Sequence, residues 1–274
     1  MMVANYKALV AIDVDGTLLD TENRISKGAA EALNALKKEA IGAVLASGRS
    51  TDGVLPYYEQ LDLAPFLIGA GGALITALSG EVIKAFELPS EVITGIIEIA
   101  RELGVGIALH QVDNLRFEST DEQIKIINRN LPGELIRVKD CYTVLDISPT
   151  VTFTLWGDHE VLLGAQERVR ALGLPVDTTF SGEVFLEITN PGVSKGHALT
   201  ILAEHLNIPA NRTAAIGDQY NDLSMLQTAA ISVAMGNAPP DIKSAAQTVA
   251  PINNEGGLAW ALENVVLKTW QSQN

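Results

Sequence analysis

Asp13-Val14-Asp15-Gly16-Thr17 places two carboxylates one residue apart, directly behind the apolar run Ala8 to Ile12. Alternate side chains of an extended chain point the same way, so both acids can serve one site, and Gly16 permits a sharp exit. An Asp-x-Asp alone more often marks a solvated turn; the apolar strand before it and the Gly-Thr after it favour a site. Gly217-Asp218-Gln219-Tyr220-Asn221-Asp222 repeats the pattern, with an apolar run ending in Gly-Asp ahead of a helix that begins near Tyr220. A helix cap would explain Asp218 or Asn221, but capping needs one such residue and the segment has three. Bringing Asp13, Asp15, Asp218 and Asp222 together is costly, because like charges about 4 Å apart repel by about 4 kcal/mol at an effective dielectric near 20. A hard divalent cation resolves the conflict, and an all-oxygen ligand set suits Mg2+ better than zinc.

Two further segments carry groups suited to an anion. Ser47-Gly48-Arg49 offers a hydroxyl and a closely approachable backbone N–H, both good donors to a phosphate oxygen. Lys195, in Gly192-Val193-Ser194-Lys195-Gly196, brings a compact positive charge. Singly, each reads as a turn or a solvated lysine; the value lies in the combination. The four histidines, at 110, 159, 197 and 205, show no metal-ligand spacing.

The elements that must position these groups alternate between short apolar runs and amphipathic segments, the rhythm of a parallel sheet wrapped by helices. Ala8 to Ile12, Ile41 to Ala46, Phe66 to Gly69, Thr213 to Ile216 and Ile231 to Ala234 read as strands, and Ser26 caps a helix with Ala29, Leu33, Leu36 and Ala40 at helical spacing. The first, second and fourth of these strands end in Asp13, Ser47 and Asp218. Open α/β sheets bind ligands beyond the carboxyl ends of their strands, so the three can converge. From about 82 to 187 the texture changes. Ser90 to Leu103 and Asp158 to Leu172 read as helices, while Thr150 to Leu155 and Val184 to Ile188 alternate like half-exposed strands, an inserted second domain. His110, Asn114 and Arg116 lie on its early strands and face either a polar substrate or solvent.

Composition narrows the function class. With 47% hydrophobic and 19% charged residues among 274, the chain is globular, and its net charge of -14 leaves no footprint for nucleic acid or an anionic membrane. A small diffusing substrate is expected. The single cysteine, Cys141, excludes an intrachain disulfide and a Cys-built zinc site, and no apolar run approaches the roughly 18 residues of a membrane helix. The expected location is cytoplasmic.

Read in order, these motifs resemble the haloacid dehalogenase superfamily, and within it the Cof-type phosphatases with a type IIB cap, over essentially the full length. Ala46-Ser47-Gly48-Arg49 and Ala234-Met235-Gly236-Asn237-Ala238 strengthen the likeness. The resemblance implies an α/β fold with a Rossmann-like parallel-sheet core, residues 1–81 and 188–274, and an inserted α+β cap, residues 82–187, that sets specificity. It implies that Asp13 attacks phosphorus to form an aspartyl-phosphate and that Asp15 acts as general acid and base. Mg2+ would be held by the Asp13 carboxylate, the Asp15 backbone carbonyl and Asp218, with Asp222 a ligand through water or an orienting partner. Ser47, Gly48, Asn221 and Lys195 would hold the phosphate. The substrate implied is a small phosphorylated metabolite such as a sugar phosphate, pyridoxal phosphate or flavin mononucleotide. One departure stands out: family members often carry Asn-Gly-Ala where this chain has Gly71-Gly72-Ala73.

Other classes fit less well. A glycosyltransferase using an Asp-x-Asp needs neither Lys195 nor the second acidic motif. A phosphosugar mutase shares the aspartyl-phosphate and is not separated by sequence. A silent regulatory module is opposed by intact Asp13, Asp15 and Lys195. No Walker pattern exists, and Gly69 to Leu74 lacks the last glycine of a dinucleotide fingerprint.

Overall fold

A computed structural model describes residues 5–130, 135–181 and 183–272. In chain order its first elements are β1 (Ala8–Ile12), α1 (Lys27–Lys38), β2 (Ile41–Ala46), α2 (Thr51–Gln60), β3 (Phe66–Gly69), β4 (Leu74–Ala77) and β5 (Val82–Ala85). There follow α3 (Ser90–Leu103), β6 (Gly106–Gln111), β7 (Leu115–Glu118), α4 (Asp121–Asn130), β8 (Leu135–Arg137), β9 (Thr150–Trp156), α5 (His159–Ala171), β10 (Asp177–Phe180) and β11 (Phe185–Thr189). The last part holds α6 (Lys195–His205), β12 (Thr213–Gly217), α7 (Leu223–Thr228), β13 (Ile231–Ala234), α8 (Pro240–Ala245) and β14 (Thr248–Val249). The chain divides into two compact units: Met1–Gly48, Leu55–Ile83 and Ser194–Asn274 form one, and Arg49–Val54 with Lys84–Val193 form the other. The second unit takes in the whole of β11, past the sequence boundary at 187.

Among the described residues the first sheet runs β14-β13-β12-β1-β2-β3-β4-β5. Its neighbours are parallel from β14 through β3, and β4 returns antiparallel to β3. This is the Rossmann-like α/β arrangement. β1 and β2 are buried at every residue, which is why they read as unbroken apolar runs rather than alternating ones. One face packs Leu9, Ala11, Val44 and Ala215 against Leu199 and Leu202 of α6 and Met225 of α7. α1 begins where Ser26 accepts a hydrogen bond from the Ala29 N–H at 3.1 Å, and it buries Ala29, Ala32, Leu33 and Leu36. Its apolar stripe ends at Leu36; Ala40 lies beyond the helix, at a positive φ of 56°.

The second unit holds a sheet of order β10-β11-β9-β6-β7-β8, antiparallel except where β7 meets β8. α3 and α5 cover one face, with Ile96, Ile97, Leu162 and Val169 packed on Leu109, Phe153, Leu155 and Leu186. β9 is buried at all seven residues, not half-exposed as its Thr alternation suggested. It is a central strand, paired on both edges with β6 and β11, and the short threonines alternate along it without being at the surface. His110 and Arg116 are likewise buried, and Arg116 donates to Asp113 at 2.7 and 2.8 Å and to Gln111 at 2.7 Å. No helix among the described residues is long and apolar enough to cross a membrane.

Candidate active site

The site lies in the first unit, beyond the carboxyl ends of three adjacent parallel strands. β1 is flanked by β2 and β12, with Ile12 opposite Leu45 on one side and Ile216 on the other. Asp13 follows β1, Ser47 follows β2 and Asp218 follows β12. The Asp13 N–H still donates to the Ile216 carbonyl at 3.0 Å, which carries its position over from the sheet. After Asp13 the chain coils, because the Leu18 and Leu19 N–H groups donate back to the carbonyls of Asp13 and Val14 at 3.1 and 3.0 Å. Gly16 makes this turn at φ +89°, and a Cβ there would sit 2.4 Å from Asp218 Oδ2.

Lys195 is the first residue of α6, capped by Ser194, whose hydroxyl accepts from the His197 N–H at 3.2 Å. Its side chain is wholly buried, with Nζ 2.7 Å from Asp13 Oδ1 and 2.6 Å from Asp222 Oδ1. The turn after β3 lies against the backbone that enters α6. Ala70, Gly71 and Gly72 all have positive φ, at 49°, 65° and 105°, and the Gly71 N–H donates to the Ser47 carbonyl at 3.0 Å. A Cβ on Gly72 would lie 2.4 Å from the backbone carbon and oxygen of Ser194. At φ 65°, position 71 needs a residue that tolerates the left-handed region, which glycine and asparagine both do.

Asp222 is fixed by three donors. Its Oδ2 accepts from the backbone N–H groups of Asp218 and Gln219, each at 2.9 Å, and its Oδ1 accepts from Lys195. Among the described residues Asp218 is held by neutral donors: Thr17 Oγ1 at 2.9 Å on Oδ1, and Gln219 Nε2 at 3.2 Å and Asn237 Nδ2 at 3.1 Å on Oδ2. Each carboxylate offers about four lone-pair positions. Those left are one on Asp218 Oδ1, one on Asp222 Oδ1, and on Asp13 one on Oδ1 and the whole of Oδ2. Among the described residues, Asp13, Asp218 and Asp222 form a buried group that can each contribute one oxygen, the oxygens lying within 4.8 Å of one another. An all-oxygen, negatively charged donor set of this kind fits a hard divalent cation such as Mg2+.

Electrostatics agree with that fit. Burial first, then the neighbouring Asp222 charge, raises the Asp13 carboxyl well above the usual carboxylate range, against the opposing pull of Lys195. Burial and Asp222 together push Asp218 up to about 6. Burial alone would depress Lys195, but Asp13 and Asp222 outweigh it and hold the ammonium above its ordinary value.

Of the residues singled out from sequence, Asp13, Lys195, Asp218 and Asp222 are in mutual contact or within a few ångströms. Ser47 is buried and Gly48 half-buried beyond β2, and Asn221 is half-buried in the short turn Tyr220–Asp222. The Asp15 carboxylate is exposed and stands outside the buried group. Strand alternation ends at Ile12, and beyond it the coil set by Leu18 and Leu19 shapes the chain. Thr17, Gln219 and Asn237, to which the motifs alone assign no role, all hold Asp218.

Comparisons with known proteins accord with this geometry. A family model described as haloacid dehalogenase-like hydrolase matches residues 10–262. Phosphatase YwpJ of Bacillus subtilis is 29% identical, the match taking in 94% of this chain and 99% of that protein. The HMP-PP phosphatase of Serratia proteamaculans is 28% identical over 86% of each chain. Among solved structures, a haloacid dehalogenase-like hydrolase from Bacteroides thetaiotaomicron superposes with a TM-score of 0.83 at 31% identity, covering 95% of this chain and 99% of that one.

Proposed function

Because the chain belongs to the haloacid dehalogenase-like hydrolases and is a phosphatase among them, we propose that it hydrolyses phosphomonoesters of small metabolites with Asp13 as nucleophile and Mg2+ as cofactor. The observation that carries the reading is Asp13 itself, buried at a strand end with Oδ1 tied to Lys195 and Oδ2 unengaged among the described residues. Such a carboxylate is oriented by one oxygen and nucleophilic through the other. Asp13 forms a bond to phosphorus as the ester P–O bond breaks, and Asp15 gives its proton to the leaving oxygen. A water then attacks the aspartyl-phosphate, passing a proton to Asp15, and the Asp13–phosphorus bond breaks to release inorganic phosphate. The exposure of Asp15 suits a group that must exchange protons with solvent.

Asp13, Asp218 and the remaining Asp222 lone pair would hold Mg2+, with the Asp15 carbonyl as a further ligand. Bound there, it supplies positive charge that offsets the acids and the phosphate dianion. Lys195 adds a second positive charge, and Ser47, Gly48 and Asn221 supply neutral donors to phosphate oxygens. A relative named for HMP-PP supports a small phosphorylated metabolite as substrate, and sugar phosphates, pyridoxal phosphate and flavin mononucleotide belong in the first panel.

The test is release of inorganic phosphate from such a panel with Mg2+, which also separates hydrolysis from a mutase or a glycosyltransferase. Asp13→Asn should lower turnover by about three orders of magnitude or more with an unchanged circular dichroism spectrum. A variant that turns over at the normal rate would remove Asp13 from the mechanism.

A further inference from the structure

Asp218 differs from the other two buried acids in having, among the described residues, no cationic partner within hydrogen-bond reach. Lys195 serves Asp13 and Asp222, whereas Thr17, Gln219 and Asn237 orient Asp218 without offsetting its charge. Of the three, Asn237 also ties the Asp218 carboxylate to other loops. Its Nδ2 donates to Asp218 Oδ2 at 3.1 Å and to the Gly16 carbonyl at 3.0 Å, joining the loop after β1 to the loop after β12. Its Oδ1 accepts from the Asn253 N–H at 3.1 Å, and the Asn253 side chain in turn donates to the Leu19 carbonyl at 2.8 Å. The amide is therefore held at both ends, so it cannot flip without breaking three bonds. With Asn237 and Gln219 occupying Oδ2, and Thr17 one position on Oδ1, the lone pair left on Asp218 is on Oδ1.

We propose that Asn237 is a positioning residue for the cation: it locks Asp218 so that Oδ1 faces the bound ion, and it fixes the Gly16 backbone beside it. The inference rests on the proposed function, since it requires Mg2+ at Asp13, Asp218 and Asp222. A neutral amide suits the task because an ammonium or guanidinium in its place would compete with the metal for Asp218. Partners of this outer kind typically alter metal affinity by about 10- to 100-fold when removed. Asn237 is itself exposed, so truncating it opens no cavity in the core.

The experiment is calorimetric titration of the EDTA-stripped full chain with Mg2+ alone, paired with melting temperatures in EDTA. Asn237→Ala should bind Mg2+ about 10- to 100-fold more weakly than wild type at a nearly unchanged melting temperature. Asn237→Leu, which keeps the bulk and loses the bonds, should match it. Asn254→Ala removes only the neighbouring surface bonds to Thr21, at 3.0 and 3.1 Å, and should leave the affinity as it was. Wild-type binding of Mg2+ with Asn237→Ala within threefold of it would overturn this inference and leave the function standing. An equal loss in Asn254→Ala would also overturn it, since general loosening of the loop would then suffice. A wild-type chain that binds no Mg2+ would bring down the function, and this inference with it.

Discussion

Replacing Lys195 with methionine keeps the volume of the side chain and removes the ammonium that bridges Asp13 and Asp222. Both contacts are short, 2.7 and 2.6 Å, and Lys195 is wholly buried, so water cannot take over. Breaking a buried ion pair by deleting one partner costs about 3–5 kcal/mol. At about 2–4 °C per kcal/mol for a chain of this size, the melting temperature in EDTA should fall by roughly 6–20 °C. The pH dependence has a definite sign. The Asp13 carboxyl is already raised in the folded state, so its protonated form favours folding and that stability is lost as pH rises through the raised value. Lys195 pulls the other way, and without it the carboxyl moves further up, so the deficit of Lys195→Met should be larger at pH 8 than at pH 5. Thermal melts of both proteins in EDTA at the two pH values decide the matter. A variant that melts within 2 °C of wild type at pH 8, or whose deficit grows on acidification, would show that the lysine does not neutralise these acids.

Two other perturbations test the frame around the site and the second unit. Gly72→Ala places a Cβ 2.4 Å from the Ser194 backbone at a φ of +105°, and should cost about 3 kcal/mol or more by urea titration with activity falling alongside; an unaltered midpoint would contradict the close approach. His110 is buried and its imidazole pushed down to about 4 by desolvation, so the folded chain resists a proton that the unfolded chain accepts below about 6.5. Stability should therefore fall by about 3 kcal/mol as pH drops from 6.5 to 4, and His110→Gln should show a correspondingly shallower loss; equal slopes would place His110 in a solvated setting.

What the sequence reveals depends on how each residue's environment projects onto pattern. β1 and β2 are legible because strands covered on both faces must be apolar throughout. β5 is not, for its residues alternate between exposed and half-buried and leave no apolar run. β9 shows the opposite failure, for its threonines mimic a solvent face although every residue is buried. Asp13, Lys195, Asp218 and Asp222 could be picked out because acids and a lysine beside apolar runs are conspicuous in type. The parts of Thr17 and Asn237 could not, since a hydroxyl or an amide acquires meaning only from the Asp218 oxygen it meets, 201 residues away for Thr17.

The separation of the bridged groups along the chain bears on biosynthesis. Asp13 and Lys195 are 182 residues apart, and the whole second unit is encoded between them. A ribosome adding about 5–20 residues per second exposes Asp13 many seconds before the lysine that steadies it, and Asp218 later still. Through that interval β1 lacks its β12 neighbour, and the nascent chain carries a nucleophile with no counter-charge. Catalytic competence should thus switch on abruptly, once Asp218 has followed Lys195 out of the ribosome, instead of accruing with length.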